Sequence, residues 1–200
     1  LARTFQPTYD WKGAVRTLGD FNARTRSTAL LILKDDRIVH ESYADGSGQE
    51  TLFFTFSMAK SITSTLVGMA IEDGHIDSVQ DPLSRYLPAL KCGVYEGVTI
   101  RDALQMMAGV LFDQPTYDQK DDSIPFTRVH RESVIEWRYR FVDAANSLPR
   151  AGAIGEKWVY STMNTALLGS LVETAVGERL ATYMSRRLWK PAGMEYDAEW

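Results

Sequence analysis

The chain is poor in the residues that most often carry disulfide, metal or phosphate chemistry. Its 200 residues include one cysteine, Cys92, which excludes an intrachain disulfide framework and any cysteine-rich zinc site. The three histidines, His40, His75 and His130, lie far apart with no metal-ligand spacing. Asp113, Asp118, Asp121 and Asp122 cluster but lack the glycine and closing glutamate of a calcium loop. No long apolar run is present. The longest, Ala29 to Leu33, falls far short of the roughly 18 residues needed to span a bilayer. Nor is there a run of like charges: 22 basic and 26 acidic residues give a net charge of −4. That argues against nucleic acid as a partner, because binding phosphates needs a basic face. Dinucleotide and Walker glycine loops are missing, and so is the Gly-x-Ser-x-Gly elbow of an α/β-hydrolase. Leu1 to Phe5 lacks the cationic start and apolar stretch of a signal peptide. A start without methionine and a stop at Trp200 read as a piece of a longer polypeptide.

What is present suits a soluble globular fold. Apolar residues make up 44% and charged residues 24%, neither disordered nor fibrous. A chain of this size buries about 70% of its unfolded surface, enough for a core without staples.

Thr28 to Tyr43 reads as a β-hairpin, an apolar run and a strand-forming return joined by turn chemistry at Lys34-Asp35-Asp36. Thr51 to Ile71 is the most informative window. It spans 21 residues and its sole charge is Lys60. Ile62, Leu66, Met69 and Ala70 repeat at helical spacing, which predicts a helix from about Ser57 to Glu72, buried on nearly all sides, with Gly74 as its left-handed cap. Shorter helices follow: one opened by Asp81-Pro82 and closed by Pro88, and one through Met107 opened by the capping box Thr99 to Asp102. Residues 112–127 read as a long loop and a candidate active-site wall. Further helices are expected from about Arg131 to Asn146, from Ser161 or Thr162 to Gly177, and from Glu178 to Trp189.

Ser57-Met58-Ala59-Lys60 is a Ser-x-x-Lys, a spacing that chance often produces. Its surroundings give it meaning. Residues i and i+3 of a helix share a face, about 5–6 Å apart, so a lysine amine can reach a serine hydroxyl one turn earlier. A serine needs a base to become a nucleophile, and an apolar setting favours the neutral amine that could serve as one. The Ser57 N–H, at a helix start, could stabilise an oxyanion. The same residues also fit a plain helix cap with a lysine whose stem packs and whose head reaches solvent. A second element is Tyr160, ending the short extended piece from Lys157, with Asn164 four residues later at a helix start. A phenol near the lysine could relay a proton to a leaving group. Singly, Tyr160 and Asn164 equally fit a half-buried aromatic and a first-turn polar residue.

Five phrases, in order, carry a resemblance. They are Phe56-Ser57-Met58-Ala59-Lys60-Ser61, Asp81 to Pro88, Thr99 to Leu104 with Met106 to Gly109, Tyr160-Ser161-Thr162-Met163-Asn164-Thr165, and Leu188 to Met194. Together the chain resembles the serine β-lactamase and penicillin-binding-protein superfamily. Within it the resemblance is to the class C-like serine hydrolases, which include esterases, D-peptidases and 6-aminohexanoate-dimer hydrolases. Most class C-like enzymes have Tyr-x-Asn, whereas here Thr162 stands at that asparagine's place. The longer Tyr-x-x-x-Asn-Thr spacing is similar to the nylon-oligomer hydrolase branch.

The resemblance implies an α+β, β-lactamase/transpeptidase-like fold: an antiparallel sheet flanked by helices, plus a mostly helical region. The expected parts are 1–74 with the nucleophile helix, 75–150 mostly helical, and 151–200 with the second acid/base motif. The active site is expected between sheet and helical region, with Ser57 at its floor. A third motif, Lys or His followed by x-Gly on a strand, is expected beyond residue 200. Ser57 is the implied acylated nucleophile, Lys60 its proton acceptor and Tyr160 the second acid/base. Asn164 is the implied substrate contact, and Tyr117 and Trp158, with Phe112, read from the sequence as apolar walls that meet the substrate. The implied reaction is hydrolysis of an amide or ester bond of a small molecule through an acyl-enzyme, with no metal or organic cofactor and no nucleic acid partner. The alternative is a penicillin-binding-type sensor that is acylated once and does not turn over.

Overall fold

Asp35 and Asp36 both take positive φ, 51° and 56°, in the two-residue turn that joins strands β3 (Ala29–Lys34) and β4 (Arg37–Tyr43). Short polar side chains tolerate that left-handed backbone, and its twist matches the flanking strands. The expected hairpin is therefore present, antiparallel, with a register shift between Ile32 and Leu33. The structure is a computed structural model that describes residues 6–112 and 121–199. The chain forms two compact units, Leu1–Phe54 and Thr55–Trp200.

In the first unit a second hairpin precedes the expected one. Strands β1 (Thr8–Trp11) and β2 (Ala14–Thr17) pair antiparallel around a turn with positive φ at Lys12 and Gly13. Helix α1 (Leu18–Thr25) starts on a capping box. The Asp20 N–H donates to Thr17 Oγ1 at 3.2 Å and the Thr17 N–H donates to Asp20 Oδ2 at 2.7 Å. The Arg24 guanidinium lies over the Trp11 ring, 4.2 Å from its centre, an attraction between a cation and an aromatic face. Among the described residues each sheet has two strands. Leu31, Leu33 and Ile38 remain exposed on the second.

The core belongs to the second unit. Helix α2 (Ala59–Glu72) packs against helix α6 (Thr162–Val176). Leu66, Val67 and Ala70 meet Leu167, Leu171 and Val172 in one cluster of fully buried side chains. Burying each of the larger ones is worth about 1.5–3 kcal/mol. Helix α2 corrects the expectation of burial on nearly all sides: Ser61, Ser64, Thr65 and Gly68 are exposed. The reason is chemical. The Ser64 and Thr65 hydroxyls donate to the Ser61 carbonyl within the helix, each at 2.9 Å, so an uncharged face can meet solvent. A turn of 3-10 helix over Phe56–Met58 leads into α2, and Gly74 ends it with φ 76° as expected. Beyond that end the Asp73 carboxylate accepts from Arg187 Nε at 2.7 Å and from the Tyr183 hydroxyl at 2.8 Å. Arg187 and Tyr183 hold Asp73 below the usual carboxylate range.

The segment between these helices is more broken than the spacing suggests. Asp81 does not cap a helix. Its carboxylate accepts from the Tyr86 hydroxyl at 2.7 Å, and Leu83–Arg85 and Pro88–Leu90 are single 3-10 turns. The Thr99–Asp102 capping box is present, but helix α3 (Ile100–Leu104) stops before Met106, whose φ is 60°. The expected helix 131–146 is two pieces. Helix α4 (Pro125–His130) runs into a π turn over Arg131–Ile135, and helix α5 (Phe141–Ala145) follows a break at Trp137, φ 53°. The last helix is α7 (Leu180–Met184) with a π turn over Ser185–Trp189. Among the described residues no helix is long and apolar enough to cross a membrane.

Candidate active site

Phe56, immediately before the serine, has φ 44°. A bulky side chain in that left-handed region costs about 1–3 kcal/mol, a strain often found at functional sites. The kinked backbone leads into the 3-10 turn that presents Ser57 at the surface. One turn on, Lys60 is half-buried on α2 and its Nζ donates to Ser57 Oγ at 3.2 Å. The helical i, i+3 spacing alone brings these two groups together.

The third group arrives from 103 residues away. The Tyr160 hydroxyl donates to Ser57 Oγ at 2.7 Å. Lys60 Nζ stands 5.1 Å from the centre of the Tyr160 ring, so one amine faces both the serine oxygen and the phenol. Burial pushes the Tyr160 phenol up, but its hydrogen bonds to Ser57 and Lys60 and the nearby Lys60 charge outweigh this and leave it below the ordinary phenol value. Among the described residues no carboxylate lies within ion-pairing distance of Lys60. Two titratable groups thus converge on one hydroxyl oxygen, and the one that is deprotonated can take its proton and later return it.

Tyr160 is held by a clamp the sequence did not reveal. Val159 N–H donates to the Met106 carbonyl at 2.9 Å, and Ser161 N–H donates to the Met106 sulfur at 3.4 Å. Below, segments 107–111 and 149–155 pair through Leu111 N–H to the Pro149 carbonyl, Ala151 N–H to that of Gly109, and Gly155 N–H to that of Met107, all at 2.9 Å.

The four expected contacts fare differently. Trp158 is 61% exposed and its ring lies 6.1 Å from that of Tyr160. Asn164 is a correction. It is 1% exposed, its Oδ1 accepts from the buried Tyr95 hydroxyl at 2.8 Å and its Nδ2 donates to Met106 Sδ at 3.8 Å. An amide so enclosed presents nothing to a substrate. Phe112 is a second correction: at 2% exposure it packs edge-on against Phe126 in the core and forms no wall. Tyr117 lies outside the described residues.

The Beta-lactamase family model matches residues 11–196. The 6-aminohexanoate-dimer hydrolase of Paenarthrobacter ureafaciens is 29% identical over 189 residues, covering 90% of this chain and 47% of that protein. Among solved structures, a Bacillus anthracis protein described as a candidate 6-aminohexanoate-dimer hydrolase superposes with a TM-score of 0.80 at 19% identity, covering 96% of this chain and 51% of the other. D-alanine carboxypeptidase AmpC from Burkholderia cenocepacia superposes with a TM-score of 0.64 at 24% identity, covering 89% of this chain and 46% of the other. The chain spans about half the length of such relatives. With its α+β, β-lactamase/transpeptidase-like fold and class C-like serine hydrolases as structural neighbours, the chain belongs to the beta-lactamase family.

Proposed function

We propose that the full-length polypeptide is a serine hydrolase that cleaves amide or ester bonds of small molecules through an acyl-enzyme. The observation that carries the reading is the convergence of Lys60 Nζ and the Tyr160 hydroxyl on Ser57 Oγ, at 3.2 and 2.7 Å. Ser57 Oγ attacks the carbonyl carbon, and its proton passes to the Lys60–Tyr160 pair. The carbon–nitrogen or carbon–oxygen bond breaks, and the leaving amine or alcohol takes the proton from Tyr160. Water then attacks the acyl carbon, gives a proton to the same pair, and releases the acid with Ser57 restored. The Ser57 N–H, in the first turn of its helical segment where N–H groups have no partner within the helix, suits the developing oxyanion. Exposed Trp158 offers an apolar face to the substrate beside Tyr160. Short linear amides fit this reading, in keeping with the 6-aminohexanoate-dimer hydrolase among the relatives.

Incubation of the full-length polypeptide with p-nitrophenyl butyrate tests the reading. A hydrolase gives sustained release, whereas a sensor acylated once stops at one equivalent. The pH profile adds a sign. The lowered Tyr160 phenol takes the serine proton in its phenolate form, so kcat/KM rises with pH through an ionisation below 10. Tyr160→Phe removes that limb and lowers kcat/KM by about 10²–10⁴, the range of general acid–base catalysis. A variant with the limb and the rate intact contradicts the role of Tyr160.

A further inference from the structure

The residues on either side of Tyr160 are bonded to the same side chain and backbone, those of Met106. From this juxtaposition we infer that Met106 is a positioning residue that fixes the Tyr160 phenol on Ser57 Oγ, with its thioether sulfur as a required hydrogen-bond acceptor. The inference rests on the catalytic reading of Tyr160 above.

The sulfur meets two donors. Ser161 N–H reaches it at 3.4 Å and Asn164 Nδ2 at 3.8 Å. Neither donor has an easy alternative. Ser161 opens α6, so its N–H precedes the helix ladder, and Asn164 is 1% exposed. The buried Tyr95 hydroxyl fixes which way the amide faces. Burial pushes that phenol up, so it remains a donor and binds Asn164 Oδ1 at 2.8 Å. The amide nitrogen is left to point at the sulfur. A buried donor without an acceptor costs about 1–3 kcal/mol, which here would be relieved by moving the backbone that carries Tyr160. The Met106 backbone, at φ 60°, also gives its carbonyl to Val159 N–H at 2.9 Å. Tyr160 is thereby gripped from its preceding and its following residue by one side chain and its own peptide. A methionine kept in a left-handed conformation fits a role that needs its sulfur in one place.

Two variants of the full-length polypeptide separate acceptor from shape. Met106→Leu conserves volume and removes the acceptor, and such swaps are usually tolerated by a core. Met106→Gln conserves length and restores an acceptor oxygen. The expected result for Met106→Leu is a fall of about 10-fold in kcat with KM little changed, and a Tyr160 ionisation displaced upward. That ionisation is read by ultraviolet difference titration of each protein against its Tyr160→Phe counterpart. Met106→Gln is expected to stay within about 3-fold of the unaltered protein and to keep its titration. Equal behaviour of the Leu variant and the unaltered protein overturns the inference. So does a parallel loss in both variants that tracks their Tm, which is what a merely structural role gives. Full activity of Tyr160→Phe in the otherwise unaltered protein refutes the catalytic reading instead. The titration still reports whether Met106 holds the phenol.

Discussion

Ser57→Ala in the full-length polypeptide is expected to lose at least about 10³-fold in kcat while the fold survives. The rate falls because no other atom receives both donors. Lys60 Nζ and the Tyr160 hydroxyl point at Ser57 Oγ, and without it they activate only a passing water. Loss of a covalent nucleophile typically removes nearly all of a serine enzyme's turnover, and the residual rate comes from binding and the oxyanion site. The fold survives because Ser57 is exposed and outside the core cluster. Surface changes of this kind usually stay within about 0.5 kcal/mol. Steady-state turnover of an activated ester, measured beside urea denaturation, checks both halves. A variant that retains a tenth of the rate removes Ser57 from its role.

Gly109→Ala is expected to act on the scaffold and to cost about 3 kcal/mol or more. Its φ is 66°, and a Cβ there would lie 2.6 Å from the Gly152 carbonyl oxygen and 2.8 Å from that of Ala153. Both obstacles are backbone, so neither can swing aside. The backbone strain of a non-glycine residue adds to the clash. The pairing of 107–111 with 149–155 would part, and with it the support beneath Tyr160. Gly74 is the control. It too has positive φ, 76°, but nothing lies within 4 Å of an added Cβ, so Gly74→Ala should cost only about 1–2 kcal/mol. Comparable urea midpoints for the two variants would show that the close approach at Gly109 does not matter.

Local chemistry was what the sequence carried well. The Asp35-Asp36 turn, the Thr99–Asp102 box and the Gly74 cap are decided by neighbouring residues, and each is present. The Ser57–Lys60 contact follows from helix spacing alone. The failures have separate physical origins. Lack of charge on α2 suggested all-round burial, yet its hydroxyls satisfy themselves on their own helix. The apolar spacing through 131–146 continues across Trp137, where the backbone turns left-handed and the helix breaks. The first hairpin and α1 went unread, although Lys12-Gly13 and the Thr17–Asp20 box would have located them.

The site divides along the same line. Tyr160 could be linked to Ser57 only through the resemblance, because no spacing rule connects residues 103 apart. Asn164 read as a polar first-turn residue and a substrate contact, and it became a buried bridge because Tyr95 and Met106 enclose it. Met106 gave no warning. A thioether accepting a backbone N–H leaves no trace in residue type or periodicity.

One reaction reports on the central claim without any assumption about the natural substrate. Treat the full-length polypeptide with a serine-reactive phosphonate and locate the adduct by peptide mass spectrometry. The account requires one equivalent on Ser57, formed at a rate that drops sharply in Lys60→Ala and Tyr160→Phe. An adduct elsewhere, or labelling of Ser57 that both variants leave unchanged, would contradict it.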